Sequence, residues 1–315
     1  MSANILGGAG GEPPAATPAH LRHLRLLHPA PGILAWYDGR VPGHRFDPAP
    51  NWVDEGALSV GIASYAVVEG DQALVYDTHV SVAHGQRIRA DLKARGVREI
   101  TVVLSHWHLD HVAGTEAFAD CVVIANIRTA AHLEARRAGI EAGTDKGPPA
   151  IRPLILPSQV FDSHMSLTVG NRAVELIGAN IHSDDATVIW LPDAGLLLAG
   201  DTLEDPLTYV CEPHDFPAHL TDLDRLAALR PRAILPNHGD PGRIASGGYG
   251  PGLIAATQRY VRWLMALRDD PGRADAPLSQ VIRDDLQAGH LVWFDGYEEV
   301  HADNVARTLA EYGHG

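Results

Sequence analysis

One short segment limits what this chain can fold into more than any other. Residues 105–111 read Ser-His-Trp-His-Leu-Asp-His, so three histidines and one aspartate lie within six positions. The segment directly follows an apolar, β-branched run that predicts a buried strand. Because alternate residues of a strand point to the same side, we expect His106 and His108 to face one point. The turn that follows can bring Asp110 and His111 towards a second point nearby.

These residue types indicate metal chemistry. Imidazole and carboxylate groups are common ligands of Zn²⁺, and they also suit iron and manganese. One ion needs only three or four protein ligands. The segment alone offers four candidates, and others follow further along the chain. The sequence therefore indicates two divalent metal ions, for which zinc is the first expectation.

Three further candidate ligands stand where predicted strands end. His182 follows the strand predicted over 172–177. Asp201 and His238 likewise follow apolar runs, in the sequences Leu-Ala-Gly-Asp and Leu-Pro-Asn-His. Strand ends that meet at one edge of a sheet commonly form an active site. We therefore expect these three side chains to join the histidine segment.

The rest of the chain alternates predicted strands and helices. Strands are predicted in two groups, first at 57–68, 73–77, 100–104 and 121–125 and then at 165–169, 172–177, 186–191, 196–199 and 233–235. Helices are predicted at 82–95, 114–118, 127–138, 218–229, 253–268, 278–288 and 298–312. Two groups of strands, each followed by helices, indicate an α/β fold in which two sheets pack face to face with helices outside.

The two ends of the chain differ from its middle. Residues 1–30 begin with a Gly-, Pro- and Ala-rich stretch and are predicted to be a flexible lead-in. Residues 31–315 are predicted to form a single domain, with 252–315 as a helical C-terminal extension. This extension either caps the pocket or forms a contact in a homodimer, and the sequence leaves both open.

Composition excludes several functions. With 39 acidic and 25 basic residues, the net charge of −14 disfavours binding to nucleic acid. No uninterrupted apolar run exceeds five residues, so no membrane span is expected. The N-terminus lacks the pattern of a secretory signal, and Cys121 and Cys211 do not form a C-x-x-C pair. We expect a cytoplasmic protein that acts on a small molecule, without a nucleic-acid or membrane partner.

Taken in order, these residues resemble the metallo-β-lactamase superfamily over roughly 57–240. The resemblance rests on an ordered set: Asp77-Thr78 at a strand end, the H-x-H-x-D-H motif, His182, Gly200-Asp201 and Asn237-His238-Gly239. It implies a four-layer αβ/βα sandwich, in agreement with the two groups of strands. It also implies a dinuclear, metal-dependent hydrolase.

The resemblance assigns a role to each matching residue. The ligands implied for the first ion are His106, His108 and His182, and those for the second are Asp110, His111 and His238. Asp201 would bridge the two ions, and Asp77 would support the loops that carry the ligands. The position after Thr78 is often glycine in the family and is His79 here, so the backbone of that turn is expected to differ.

The branch within the family can be narrowed. Asp201 stands where β-lactamases of one type have cysteine, and its presence makes the chain more similar to glyoxalase II, the lactonases and related esterases. His108 stands where the flavodiiron branch has glutamate, which disfavours that branch. The charge of −14 disfavours the nucleases. Glyoxalase II itself is less favoured, because no basic cluster near the motif indicates a pocket for the glutathione carboxylates.

The mechanism implied is hydrolysis of a carbonyl compound. Two ions about 3.5–4 Å apart can share a hydroxide that attacks the carbonyl carbon. Asp110, or a metal-bound water, then passes a proton to the leaving group. The bond cleaved is expected to belong to an ester, lactone, thioester or amide.

Several alternatives remain open from the sequence. A sulfur dioxygenase-like oxidoreductase with one iron ion carries a similar ligand set, a β-lactam hydrolase is a second alternative, and a binding module on a retained scaffold is a third. Tyr209 and His214 are candidate substrate contacts, although ordinary loop packing explains them equally well. Trp107, between two ligands, is expected to point away from them into the core.

Overall fold

The computed structural model describes residues 19–313, in which two β-sheets lie between layers of helices. The first sheet has seven strands in chain order, antiparallel from β1 to β4 and parallel from β4 to β7. Its strands are β1 Arg25–Ala30, β2 Ile33–Asp38, β3 Ile62–Glu69, β4 Gln72–Tyr76, β5 Glu99–Val103, β6 Val122–Asn126 and β7 Gln159–Phe161.

The second sheet has five strands in the order β12-β11-β10-β9-β8, of which only β11 and β12 pair in parallel. These strands are β8 His164–Val169, β9 Arg172–Ile181, β10 Ser183–Leu191, β11 Leu196–Gly200 and β12 Ala233–Pro236. The α-helices are α1 Val82–Ala94, α2 Leu109–Val112, α3 Ile127–Ala142, α4 Phe216–Ala228, α5 Pro241–Ala245, α6 Gly252–Met265, α7 Leu278–Val281, α8 Arg283–Gln287 and α9 Tyr297–Glu311.

Three apolar layers hold the sheets and helices together. Buried side chains of both sheets, among them Tyr65 and Leu198, fill the space between the sheets. Ile88 of α1 belongs to a second cluster that covers the outer face of the first sheet. Leu223 of α4 and Leu264 of α6 belong to a third on the outer face of the second sheet. The predicted four-layer αβ/βα sandwich is therefore confirmed.

The prediction for the N-terminal segment is wrong for residues 25–30. These residues form β1, which pairs with the fully buried β2, and β2 was not predicted either. β1 contains Pro29, and every residue of β2 is buried, so neither shows the alternation of a half-exposed strand. Residues 1–18 lie outside the described part of the chain.

Smaller differences concern element boundaries. Residues 57–61, predicted as the start of a strand, belong to a π-helical turn over Val53–Leu58 and the residues after it. The helix predicted at 278–288 is divided at Ile282 into α7 and α8. The C-terminal extension is helical as predicted and packs beside α4. No helix in residues 19–313 is both long and apolar enough to cross a membrane.

Candidate metal centre

The first group of candidate ligands consists of three imidazoles. His106 and His108 lie in the loop that follows β5, and His182 lies between β9 and β10. The Nδ1 atom of His108 is 2.9 Å from His106 Nε2 and 3.0 Å from His182 Nε2. Together with an oxygen of Asp201, these nitrogens lie within 4.8 Å of one another. They therefore face one common point.

The second group lies beside the first and mixes imidazoles with a carboxylate. Asp110 and His111 lie in the single turn of α2, and His238 follows β12. Asp110 Oδ2 is 3.5 Å from His111 Nε2 and 3.3 Å from His238 Nε2. Asp110 and His238 are 128 positions apart in the sequence, and they meet where the end of β5 in the first sheet faces the end of β12 in the second.

Asp201 lies between the two groups. Its Oδ2 atom is within 4 Å of four imidazole Nε2 atoms, at 3.1 Å from His111, 3.3 Å from His238, 3.7 Å from His106 and 3.8 Å from His182. Gly200, immediately before it, has a φ of +57°, and a Cβ atom there would lie 2.7 Å from the Tyr76 hydroxyl. Only glycine fits this turn without displacing its neighbour.

Each imidazole is also contacted at the nitrogen that faces away from the centre. His111 Nδ1 donates to Asp77 at 2.9 Å, His238 Nδ1 to the Gly61 carbonyl at 2.7 Å and His182 Nδ1 to the Tyr209 carbonyl at 2.9 Å. The corresponding contacts of the other two rings are Ser105 Oγ for His106 at 2.9 Å and Cys211 Sγ for His108 at 3.7 Å. Such contacts fix the ring orientation and the tautomer that a metal ligand needs.

The electrostatics of the site favour a cation. Burial, together with nearby imidazoles, holds the pKa of His106 and of His108 well below the usual value, so both rings keep free lone pairs. Burial alone would also lower the pKa of His111 and His238, but the Asp201 carboxylate and its neighbours raise both well above the usual value. The negative potential that favours protons on these rings also favours a metal cation.

Asp77 supports the second group of ligands through hydrogen bonds. Its buried carboxylate accepts hydrogen bonds from the Ser105 amide at 2.7 Å, from His111 and from the Asn237 side chain. Asp77, His79 and His182 have positive φ angles of 65°, 69° and 70°. His79, at the position that is often glycine in the family, thus adopts the left-handed conformation that glycine favours. Strained backbone of this kind is typical of functional sites.

We expect Asp77→Asn to weaken metal binding about 10–100-fold, because an amide turns a donor towards the Asn237 side chain or the Ser105 amide. Breaking this buried charged contact should also lower the free energy of unfolding by about 3 kcal/mol. Chelator competition measures the first effect and urea unfolding the second. Asp71→Asn, on the exposed β3–β4 turn, is the matched control. Unchanged metal affinity in Asp77→Asn would contradict its supporting role.

The family model of the metallo-beta-lactamase superfamily matches residues 59–238, which is more than half of the chain. The chain belongs to the metallo-β-lactamase superfamily. The matching region includes all seven candidate ligands and Asp77.

Two curated relatives of this superfamily member are hydrolases by name. The hydroxyacylglutathione hydrolase of Rhodobacter capsulatus is 33% identical over 133 residues, which are 41% of this chain and 44% of that protein. The atrochrysone carboxyl ACP thioesterase AgnL7 of Paecilomyces divaricatus is 29% identical over 81% of this chain and 76% of its own length. Family and relatives together make the protein a metallo-hydrolase, as predicted.

Solved metallo-β-lactamases share the fold of this chain. The enzyme from Pontibacter korlensis aligns with 76% of this chain and 99% of its own chain, with a TM-score of 0.58 and 15% identity. The DIM-1 metallo-β-lactamase aligns with 76% and 97%, with a TM-score of 0.56 and 19% identity. At such identities the likeness concerns the fold alone.

A cavity of about 700 Å³ opens over the candidate ligands of the metallo-hydrolase. Tyr209 lines it, and its contact with a substrate stays a prediction. His214 does not line the cavity, because its side chain is 58% exposed on the turn Pro213–Asp215. The prediction for Trp107 is wrong in part. Its ring is buried against the core but also forms part of the cavity wall. β5 ends at Val103, so strand alternation does not extend to Trp107.

The C-terminal extension contributes directly to this cavity. Residues of α9, including Asp303 and Arg307, form part of the wall. Tyr297, the first residue of α9, donates a 3.0 Å hydrogen bond to Glu204. Glu204 in turn accepts from the Tyr209 amide at 2.9 Å and lies 3.4 Å from His182 Nδ1. The extension therefore lines the pocket, and its contact in a homodimer stays a prediction.

Sequence reasoning missed several residues of the cavity wall and its support. Glu204 carries only a faint signal, as an acid three residues after Asp201 in Asp-Thr-Leu-Glu. Arg136, Lys146 and Arg307 also line the cavity, although no basic cluster is visible near the motif. They come from segments that are distant in sequence, so only the folded chain brings them together.

Proposed function

We propose that the protein is a dinuclear zinc hydrolase that cleaves a thioester bond of a small acyl compound. The observation that carries the proposal is the position of Asp201 Oδ2, within 4 Å of imidazoles from both ligand groups. A carboxylate shared in this way is the arrangement that holds two ions close together. The names of the two curated relatives, one acting on an acyl-glutathione and one a thioesterase, support the thioester among the carbonyl substrates.

The residues present fit two divalent ions. His106, His108 and His182 would hold one ion, Asp110, His111 and His238 the other, and Asp201 both. The second oxygen of Asp201 is buried without a hydrogen-bond partner among the described residues, so it is free for a further contact. Nitrogen and oxygen donors without a thiolate suit zinc in a catalytic site. Two such ions polarise a carbonyl group and supply a nucleophile from water at neutral pH.

The protein's own groups then move a proton and orient the substrate. Burial would raise the pKa of Asp110, but His111 and the hydrogen bond with His238 lower it to about 2, so the carboxylate is charged at neutral pH. It lies at the cavity wall, and this position is the reason why we assign to it the transfer of a proton from water to the leaving group. Burial raises the pKa of Tyr209 to about 12, so its phenol remains a donor for a substrate oxygen.

Metal analysis followed by a substrate panel tests the proposal. We expect about two zinc ions per chain, and the highest kcat/KM for a thioester among a thioester, an oxygen ester, a lactone and a β-lactam. Removal of the metal should abolish turnover and added zinc should restore it. One iron ion per chain with oxygen consumption would establish the dioxygenase alternative instead. Preferential β-lactam cleavage would contradict the thioester assignment, and full metal occupancy without any turnover would indicate a binding module.

A further inference from the structure

Three cationic side chains lie in the wall of the cavity above the candidate metal centre. Arg136 comes from α3, Lys146 from the loop after α3 and Arg307 from α9. Their presence stands out because the chain has 39 acidic residues against 25 basic ones, and Lys146 is one of only two lysines. The same wall carries seven acidic side chains, so what these three cations can bind depends on whether a carboxylate already pairs with them.

Arg136 already interacts with two other side chains of the protein. Its guanidinium carbon lies 4.0 Å from the centre of the Trp107 ring, and its Nη1 atom lies 3.4 Å from a carboxylate oxygen of Asp145. Stacking and pairing of this kind hold the arginine in place. Arg136 therefore forms part of the wall rather than an open binding group.

Lys146 and Arg307 differ from Arg136 because no carboxylate pairs with them. The Lys146 ammonium lies 5.8 Å from the Trp107 ring centre, and the Arg307 guanidinium carbon lies 5.1 Å from the Tyr209 ring centre. Within residues 19–313, neither cation has a carboxylate oxygen within 4.0 Å. The aromatic rings orient both cations without neutralising their charge.

Both cations are held next to the first ligand group. The Trp107 ring that orients Lys146 lies 4.6 Å from the His108 ring, measured between their centres. The Tyr209 ring that orients Arg307 lies 5.9 Å from the ring of His182, the neighbouring ligand of the same group. The unpaired positive charges therefore flank the side of the cavity next to the first ligand group.

Acidic side chains also line this cavity and limit what it can accept. Glu55, Glu212, Glu299 and Asp303 are part of the wall, but none forms an ion pair with either unpaired cation. Burial, followed by nearby aspartates, raises the pKa of Glu212. Lys146 and Arg307 are thus the unpaired cations of a described wall that is otherwise mainly acidic, which suits a substrate with a localised anionic group.

The geometry points to a substrate with an anionic group, a carboxylate or a phosphate, which Lys146 and Arg307 bind while the thioester carbonyl lies over the metal centre. This inference rests on the proposed function, because it assigns the substrate class of the same site. Lysine binds such a group as a point charge, and arginine can bind it through two parallel hydrogen bonds. Both are therefore residues for recognition and not for the chemical step.

The test compares pairs of thioesters in which one member carries an anionic group and the other lacks it. S-glutaryl-N-acetylcysteamine is paired with its methyl ester, and S-butyryl-4′-phosphopantetheine with S-butyryl-pantetheine. In Lys146→Gln and Arg307→Gln we expect KM to rise about tenfold for the charged member of one pair, with kcat nearly unchanged, because a charge-assisted contact is lost. The neutral member should be unaffected. The pair that responds identifies the anion as a carboxylate of the acyl group or a phosphate of the leaving group.

Arg137→Gln is the matched control. Arg137 follows Arg136 on α3, but it pairs with Glu141 at 3.4 Å and does not line the cavity. Equal changes of KM for charged and neutral substrates, or no change in either variant, would overturn the inference while leaving thioester hydrolysis intact.

A binding measurement separates this inference from the proposed function. If the wild-type protein hydrolyses none of the four thioesters, the proposed function fails. Calorimetric titration of the metal-loaded protein with glutarate and with 4′-phosphopantetheine then tests the anion site alone. Weaker binding of one compound to the Lys146→Gln/Arg307→Gln variant supports the site. Equal binding to the wild type and this variant overturns it.

Discussion

Replacement of Asp201 by alanine is expected to lower kcat/KM by at least about 10³-fold, since the carboxylate contributes several kcal/mol through the metal centre. It should also lower the metal content from two ions per chain to one or fewer. The reason is geometric: no other carboxylate oxygen among residues 19–313 lies within 4.0 Å of imidazoles from both groups. Elemental analysis and steady-state kinetics of the same preparation measure both effects.

Asp193→Ala provides the control for this variant. Asp193 is exposed on the turn that precedes β11, whereas Asp201 follows the opposite end of the same strand. We expect the control to keep the metal content and turnover of the wild type. An Asp201→Ala protein that binds two ions and retains its activity would show that the two groups do not depend on this carboxylate.

Asp110→Asn is expected to reduce kcat by about 10²–10⁴-fold, the usual contribution of a general base or acid. The amide keeps the shape of the side chain and one oxygen near His238, but it cannot accept a proton at neutral pH. His111, His238 and Asp201 remain as donors to the second ion, so most of the metal should be retained. Single-turnover kinetics and elemental analysis distinguish loss of proton transfer from loss of metal.

Glu116→Gln serves as the control for Asp110→Asn, because Glu116 is an exposed acid on the next turn of the chain and does not line the cavity. Wild-type kcat in Asp110→Asn would remove the proton-transfer role. A large loss of the second ion together with activity would assign Asp110 to metal binding alone.

The candidate metal centre could be predicted from the sequence because its residues carry local signals. Four of them lie within 106–111, and the others directly follow strands or lie between two of them. Strand alternation nevertheless does not explain why His106 and His108 face one point, since β5 ends at Val103 and both lie in a loop. Their convergence depends on the loop conformation and on the hydrogen bonds of Asp77 and Ser105 rather than on strand alternation.

Other parts of the molecule carried no such signals. β2 is buried along its whole length and shows no alternation, so the pattern that identifies a half-exposed strand was missing. The cavity wall depends on side chains such as Lys146 and Arg307, which are 161 positions apart in the sequence. Their placement in the wall of one cavity follows from how α9 packs, and this depends on tertiary contacts that no local pattern describes.

The metal centre and one wall of the cavity come from different parts of the chain, because helix α9 supplies that wall. The family model ends at residue 238, so the metal-binding part lies within the match and this wall of the pocket lies beyond it. Two superfamily members could thus share one reaction centre and choose different substrates through their last helix. An exchange of this helix between enzymes would be a route to new specificity, provided that Tyr297 and Asn304 are kept. These two residues hold the loop at Glu204 and Val210 in place.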